Sequence, residues 1–424
     1  MNDNIATPFA KPLYVMLKPA GAHCNLDCKY CYYLEKNNLY NTSQRHLMTD
    51  EMLEQFTLEY IEAQTMNQVL FTWHGGEPLM RSIDFYKKAL ELQKKYAHGK
   101  QIDNVIQTNG TLLTDEWCAF FAQNHFLVGI SIDGPQEYHD HYRQTSAGKP
   151  SWEKVMHGIH LLKKHRVEWN AMAVVNAYNA EHPLEFYHFF RDNGCQYLQF
   201  TPIVERLTEH EDGRTLASLA DVSHEDNYED VGNAKKQKEN QEITIANFSV
   251  TPEQWGKFLC TIFDDWVRHD VGKIFVEIFD CTLANWVGVQ PGICAYSKEC
   301  GHAGVMEHNG DVFSCDHFVF PEYKLGNIQD KSLIDMLYGE KQQAFSRLKH
   351  TSLPRQCKEC DMEFACHGEC PKNRFENDKY GEPGLNYLCK GYYEYYTHVA
   401  PYMDFMKREL QAQRPPANIM NVLK

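Results

Sequence analysis

The stretch CNLDCKYC, at residues 24–31, decides the architecture of this chain more than any other segment. It follows a short apolar run, Leu13 to Lys18, and a loop that contains Gly21. Three closely spaced thiolates can bind three irons of a cubane iron–sulfur cluster, which leaves the fourth iron without a protein ligand. Structural zinc, the alternative, usually takes four ligands in paired cysteine motifs, and no fourth partner is near in the sequence. We therefore predict a cluster with an open iron.

Outward from this motif, five further apolar runs alternate with helix-like segments. They span Val69 to Trp73, Asn104 to Thr108, Leu127 to Ile132, Ala171 to Val175 and Tyr197 to Thr201. Thr49 and Thr114 are placed to cap two of the intervening helices. Such alternation predicts parallel strands with right-handed crossovers. The predicted fold class is therefore α/β, a partial (β/α)6 TIM-like barrel whose chemistry lies on the loops after the strands.

Changes of composition along the chain predict three regions. Residues 1–205 form the barrel, 206–290 a polar insertion with linking helices, and 291–424 a cysteine-rich domain with a C-terminal helix. The stretch from Glu205 to Ala246 is polar and aperiodic, which is typical of an insertion or a mobile loop. A helix then begins with a capping box, formed by Thr251 and Gln254 around Pro252. Beyond Gly292, cysteines and short loops predict a domain held together by metal.

The composition excludes several classes of protein. The chain has 424 residues, of which 43% are hydrophobic, so wholesale disorder is excluded. A formal net charge of −15 disfavours nucleic acid as a partner. No apolar run is long enough for a membrane span, and Met1 to Ala10 does not resemble a secretory signal. We therefore expect a cytoplasmic protein without a membrane partner.

The 15 cysteines require an explanation, because disulfides do not persist in the cytosol. Four are isolated and are interpreted as small buried hydrophobic residues: Cys118, Cys195, Cys260 and Cys281. Eight fall in the C-terminal third, a number that would fully ligate two cubanes. They are Cys294, Cys300, Cys315, Cys357, Cys360, Cys366, Cys370 and Cys389. Zinc bound by four of them, 357, 360, 366 and 370, is the alternative.

The motif at 24–31 resembles the signature of radical S-adenosylmethionine (SAM) enzymes, with Cys24, Cys28 and Cys31 as cluster ligands. Gly75, Gly76, Glu77 and Pro78 resemble the GGEP motif of that family, which binds the SAM amino group. The resemblance implies that Ser131 and Arg143 reach the SAM carboxylate and that Tyr30 lies beside the adenine. Other implied contacts are Asn109 and Asp133, which contact the ligand or brace loops, and Tyr33, for which a core position is the ordinary interpretation.

The C-terminal cysteines resemble the SPASM domain of radical SAM enzymes that modify peptides. This resemblance implies two interleaved ligand sets, one of 294, 300, 315 and 370 and the other of 357, 360, 366 and 389. Together with the SAM-binding cluster, the cofactors implied are three [4Fe-4S] clusters and SAM. Spacing supports the number of ligands but not their division between the clusters.

Within this group the chain is most similar to the anaerobic sulfatase-maturating enzymes, which share the pair Cys315-Asp316. The resemblance implies that a 5′-deoxyadenosyl radical takes a hydrogen from the β-carbon of a Cys or Ser in a sulfatase polypeptide. Asp316 would take the proton, an auxiliary cluster the electron, and flavodoxin or ferredoxin would supply the reducing electron. The product would be Cα-formylglycine, with methionine and 5′-deoxyadenosine as co-products.

Two alternatives remain. Another SPASM peptide modifier could form a thioether or a carbon–carbon crosslink, although a barrel that begins by Leu13 leaves no room for a precursor-binding domain before it. A non-catalytic metal-binding module is the alternative from a different class. The GGEP motif argues against that module, because a structural protein needs no amino-acid site.

Overall fold

The computed structural model describes residues 12–33, 36, 47–210, 213–216 and 244–423. The strands in chain order are β1 Tyr14–Leu17, β2 Gln68–Trp73, β3 Gln101–Thr108, β4 Leu127–Ser131, β5 Glu168–Val175, β6 Tyr197–Pro202, β7 Arg206–His210, β8 Gly213–Leu216, β9 Thr244–Ile245, β10 Phe275–Val276, β11 Ala303–Met306, β12 Asp311–Phe313, β13 Lys324–Asn327, β14 Arg374–Asn377 and β15 Pro383–Asn386. The first six correspond to the six predicted strands, so the predicted alternation is confirmed.

Helices separate most of these strands. They are α1 Asp50–Ala63, α2 Ile83–Tyr96, α3 Asp115–Gln123, α4 Gln136–Tyr142, α5 Trp152–His165, α6 Pro183–Asp192, α7 Pro252–His269, α8 Glu277–Val287, α9 Leu333–Leu337, α10 Glu340–Thr351, α11 Arg355–Lys358, α12 Glu363–Cys366, α13 Cys389–Gln411 and α14 Ile419–Val422. No helix among the described residues combines the length and the apolar composition that a membrane crossing requires.

The predicted helix caps are confirmed. The side chain of Thr49 accepts a hydrogen bond from the Met52 amide, and Thr114 does the same for Trp117. At α7 both bonds of the capping box are present: the Gln254 amide donates to Thr251 Oγ1 at 3.2 Å, and the Thr251 amide donates to Gln254 Oε1 at 3.0 Å. Local sequence therefore fixes where these three helices begin.

The chain divides into two compact units, each assembled from three segments. The first comprises Met1–Ser131, Tyr142–Trp169 and Gly301–Ser346. Its strands are ordered β4-β3-β2-β1-β11-β12-β13. β11 pairs with β1 in parallel, with Tyr14 opposite Ala303, and β12 and β13 continue the sheet antiparallel. Sequence analysis missed β11 to β13, because runs of three or four residues carry too little periodicity to be recognised.

The second unit comprises Ile132–His141, Asn170–Cys300 and Arg347–Lys424. In it β5, β6 and β10 pair in parallel, while β14 and β15 form an antiparallel hairpin. α7 contributes an aromatic face to the core, with Phe263 edge-on to Phe279 of α8 at 5.2 Å between ring centroids. β7, β8 and β9 form a small sheet in the predicted polar stretch. Residues 211–212 and 217–243 of that stretch lie outside the described residues.

Candidate active site

The three cysteines at 24–31 lie on a loop after β1 that is tied by backbone hydrogen bonds to residues 142–144. The amides of Asp27 and Lys29 donate to the carbonyls of Gln144 and Tyr142, at 2.7 and 3.1 Å. The Cys31 amide closes a turn on the Cys28 carbonyl at 2.9 Å. Backbone hydrogen bonds therefore fix the shape of the loop that carries the three cysteines.

The sulfur of Cys24 accepts hydrogen bonds from the Leu26 amide at 3.4 Å and from Asn109 Nδ2 at 3.6 Å. Burial raises the pKa of Cys24 to about 12 and that of Cys31 to about 11. Metal binding must therefore displace protons from these thiols, as it does in other thiolate sites. Three cysteines on one loop, with donors aimed at a sulfur, fit a cubane that has one open iron.

Gly75 and Gly76 allow a close approach of the backbone to this loop. The amides of Gly76 and Glu77 donate to the carbonyls of Gly21 and His23, both at 2.8 Å. A Cβ at Gly76 would lie 2.2 Å from the His23 carbonyl oxygen, a distance that no side chain tolerates. The glycines therefore let the chain pass directly against the segment that leads into Cys24.

Glu77 is fully buried and accepts three hydrogen bonds. Its Oε1 accepts from the Leu79 amide at 2.9 Å and from Thr108 Oγ1 at 2.7 Å. Its Oε2 accepts from the Asn109 amide at 2.7 Å. Burial raises the pKa of Glu77 to about 7 against these bonds. The carboxylate thus joins the GGEP loop, which continues into Pro78, to the end of β3.

Other predicted SAM contacts lie in the first unit, with Asn109 and Ser131 at the ends of β3 and β4 and Arg143 directly after α4. The Arg143 guanidinium is over the Tyr30 ring, 5.6 Å from its centroid. Ser131 Oγ accepts from Gln107 Nε2 at 3.0 Å, and Asn109 Nδ2 donates to Asn25 Oδ1 at 2.9 Å.

Asp133 lies in the second unit, where its Oδ1 accepts from the Val174 amide at 2.9 Å. The bond joins Asp133 to β5, and the choice between ligand contact and loop bracing for this residue stays a prediction. Tyr33 belongs to a different part of the first unit, around Asp316.

Asp316 is the centre of a buried polar network in the first unit. Its Oδ1 contacts Lys18 Nζ at 2.5 Å, and its Oδ2 accepts from the hydroxyls of Tyr32 and Tyr33 at 2.6 and 2.5 Å. Lys36 donates to the Asp316 carbonyl. Burial would favour the neutral acid, but the positive charges of Lys18 and Lys36 hold the pKa of Asp316 well below its usual value.

The network extends to Glu307 and His74. Lys18 also contacts Glu307 Oε1 at 3.0 Å, and both side chains are almost completely buried. The Tyr33 hydroxyl oxygen lies 3.2 Å from His74 Nδ1. That ring nitrogen accepts a hydrogen bond from the Gly75 amide at 2.8 Å. Sequence analysis named Asp316 and Tyr33 but missed Lys18, Lys36, Tyr32 and Glu307. The available signal was Lys18 itself, a charged residue that directly follows an apolar strand.

Seven of the eight C-terminal cysteines lie in the second unit, and they fall into two groups according to which charged or titratable groups each interacts with. One is gathered around Lys349 and contains Cys294, Cys300 and Cys370. In the other, Cys357 interacts with Cys360, and both Cys366 and Cys389 interact with Cys357. The eighth cysteine, Cys315, lies in the first unit. The Met362 amide donates to Cys360 Sγ at 3.4 Å, repeating the contact between Leu26 and Cys24.

Two further observations concern metal ligation. Among the described residues, no three His, Cys, Asp or Glu side chains are arranged to hold a single metal ion. Of the four isolated cysteines, Cys118, Cys195 and Cys281 are buried, as expected, and Cys260 is half-buried.

Comparison with known proteins agrees with this geometry. Residues 19–190 match the radical SAM superfamily, and residues 299–361 match the SPASM iron–sulfur cluster-binding domain. The class defined by fold and site is therefore an iron–sulfur enzyme that uses SAM. Its predicted fold class and cofactors, three [4Fe-4S] clusters and SAM, are confirmed.

Relatives that match nearly the whole chain identify the family within the radical SAM enzymes. A serine-type anaerobic sulfatase-maturating enzyme of Bacteroides thetaiotaomicron is 66% identical over the whole chain and 98% of its own length. A cysteine-type anaerobic sulfatase-maturating enzyme of Clostridium perfringens is 30% identical over 92% of this chain and 97% of its own. The solved structure of native anSMEcpe with bound AdoMet and Cp18Cys peptide has a TM-score of 0.77 at 28% identity, covering 94% of this chain and all of that one. The chain belongs to the anaerobic sulfatase-maturating enzymes.

Proposed function

We propose that this enzyme oxidises an active-site serine of a sulfatase polypeptide to Cα-formylglycine, and that it also accepts cysteine in that position. The observation that carries the proposal is the Asp316 carboxylate, which is kept ionised by Lys18 and Lys36 while 12% of its side chain stays exposed. An ionised carboxylate can accept a proton directly from a substrate hydroxyl within hydrogen-bond reach. The preference for serine is supported by the 66% identity to a serine-type enzyme.

The residues around Asp316 determine its orientation and its strength as a base. Lys18 and the two tyrosines occupy both oxygens of Asp316, which fixes the plane of the carboxylate. The cations that keep Asp316 ionised also weaken it as a base. We therefore expect the proton to leave only when the neighbouring carbon has become a radical, whose hydroxyl is more acidic than that of the parent alcohol. This ordering would protect unreacted substrate.

When bound, SAM and the cluster on Cys24, Cys28 and Cys31 supply a 5′-deoxyadenosyl radical that removes a hydrogen atom. We propose that the SAM contacts are those of the sequence analysis, with Glu77 acting through the backbone that it holds. We propose the two predicted ligand sets for the auxiliary clusters, which is supported by the grouping of Cys294, Cys300 and Cys370 around Lys349. We also propose a cytoplasmic location and flavodoxin or ferredoxin as electron donor.

The test is mass spectrometry of paired peptides that carry Ser or Cys in one sulfatase motif, incubated anaerobically with enzyme, SAM and reductant. The Ser peptide should lose two hydrogen atoms and react faster than the Cys peptide, whose thioaldehyde hydrolyses to the same aldehyde. Deuterium placed on the β-carbon should appear in 5′-deoxyadenosine. Transfer from the α-carbon would instead indicate the crosslinking alternative.

A further inference from the structure

The loop between Cys366 and Cys370 has an unusual backbone conformation. His367, Gly368 and Glu369 adopt positive φ angles of 49°, 67° and 53°. Three consecutive left-handed residues are costly for an L-amino-acid chain unless other contacts compensate.

A single guanidinium supplies that compensation. Arg374 donates to the carbonyl oxygens of His367, Gly368 and Glu369 at 2.7, 2.8 and 2.9 Å. Its Nη1 also donates to the Lys349 carbonyl at 2.5 Å. A Cβ at Gly368 would lie 2.6 Å from Arg374 Nη2, so this turn closes directly on the guanidinium.

Lys349, the other cation in this part of the second unit, is fully buried. Its ammonium donates to the carbonyls of Cys294, Ala295 and Ser297, the last two at 2.6 and 2.5 Å. Carbonyl oxygens satisfy the hydrogen bonds of a cation but do not neutralise its charge. Among the described residues, neither Lys349 nor Arg374 is joined to a carboxylate by an ion pair.

The titratable groups that face these two cations are mostly cysteines of the two proposed ligand sets. Burial lowers the pKa of Lys349, and this shift is opposed by Cys300, Cys294, Cys370 and Glu369. Burial also lowers the pKa of Arg374, and that shift is opposed by Cys366, Cys370, Cys357 and Glu369. The hydrogen bonds give the same assignment. Lys349 donates to the carbonyl of Cys294, in one cysteine group, whereas Arg374 holds the turn 367–369 that joins Cys366 of one group to Cys370 of the other. Glu369, held by Asn386 Nδ2 at 2.9 Å, is the carboxylate near both cations.

We propose that Lys349 and Arg374 are the charge-compensating residues of the auxiliary clusters, with Lys349 serving one cluster and Arg374 serving both. One-electron reduction of a cubane adds one negative charge and transfers no atom. A fixed cation in a buried site stabilises the reduced form and makes the potential more positive. The two residues thereby prepare the clusters to accept an electron.

The experiment is a redox titration of the full-length, fully reconstituted enzyme, followed by electron paramagnetic resonance without substrate. The SAM-binding cluster is identified by the change of its signal when SAM is added. In Lys349→Met the potential of one auxiliary cluster should become more negative while the other stays constant. In Arg374→Gln both should become more negative. Arg374→Lys, which keeps the charge but loses the planar fork, should retain most of both potentials.

Lys358→Met is the matched control, because Lys358 follows Cys357 directly but is exposed, and solvent screens its charge. It should change neither potential. If Arg374→Gln fails to retain iron, the redox potentials of Lys349→Met alone test the proposal. A shift of both potentials or of neither in Lys349→Met overturns the proposal, as does an Arg374→Gln enzyme with both clusters present and unaltered potentials.

Discussion

Buried cations occur in both units of this protein, but they face different partners. In the first unit, Lys18 contacts the carboxylates of Asp316 and Glu307. In the second, Lys349 and Arg374 contact backbone carbonyls and lie near thiols. The first network is electrostatically complete within the protein, whereas the second becomes so only with anionic clusters bound. In our proposals, the paired network holds the base, and the cations without a carboxylate partner stabilise the reduced clusters.

The largest effect on activity should come from replacing the three cysteines of the loop after β1. The triple variant Cys24→Ala, Cys28→Ala, Cys31→Ala should lose SAM cleavage completely and drop from about twelve to about eight irons per chain, since each cubane holds four. Iron analysis and chromatography of 5′-deoxyadenosine measure the two changes. Loss of all iron would show that the two regions do not assemble independently.

Replacement of the proposed base, Asp316, should have the second-largest effect on activity. Asp316→Asn keeps the volume and removes the acceptor, so formylglycine should fall by roughly 100-fold or more while SAM cleavage continues, in line with typical general-base contributions. Peptide mass spectrometry beside 5′-deoxyadenosine yield separates the two activities. Wild-type product yield in this variant would eliminate Asp316 as the base.

The difference between a lysine paired with carboxylates, Lys18, and a lysine bound to carbonyls, Lys349, can be measured through the free energy of unfolding. Lys18→Met leaves the buried Glu307 without its cation and Asp316 with only Lys36, and should cost about 3–5 kcal/mol. Lys349→Met leaves only carbonyls without donors and should cost about 1–3 kcal/mol in protein without clusters. Denaturant midpoints compare them, and the double variant Lys18→Met, Glu307→Gln should recover part of the first loss. Equal losses for both lysines would break the comparison.

The smallest effect calibrates the others. Thr251→Ala removes the cap of α7 and should cost about 1 kcal/mol. Its denaturant midpoint should fall slightly while iron content and both activities stay constant. Thr251→Ser, which keeps the hydroxyl, serves as the control and should match the wild type.

Local patterns predicted what depends on neighbouring residues. The cysteine spacing at 24–31, the caps at Thr49, Thr114 and Thr251, and the six alternating strands could all be recognised in the sequence. The partnership of Lys18 with Glu307 could not, because 289 positions separate them and the pairing depends on β1 lying beside β11. Gly76 was recognised only as part of a motif that resembles GGEP, and the structure adds its close approach to the chain's own loop.

The parallel pairing of β1 with β11 has a consequence for synthesis. The ribosome produces Lys18 early, but its buried partner Glu307 follows 289 residues later. At about 5–20 residues per second, that interval lasts roughly 15–60 s. During this time the nascent chain carries an open sheet edge at β1 and a lysine whose burial would be uncompensated. The sheet of the first unit can therefore be completed only after residues 301–346 have been synthesised.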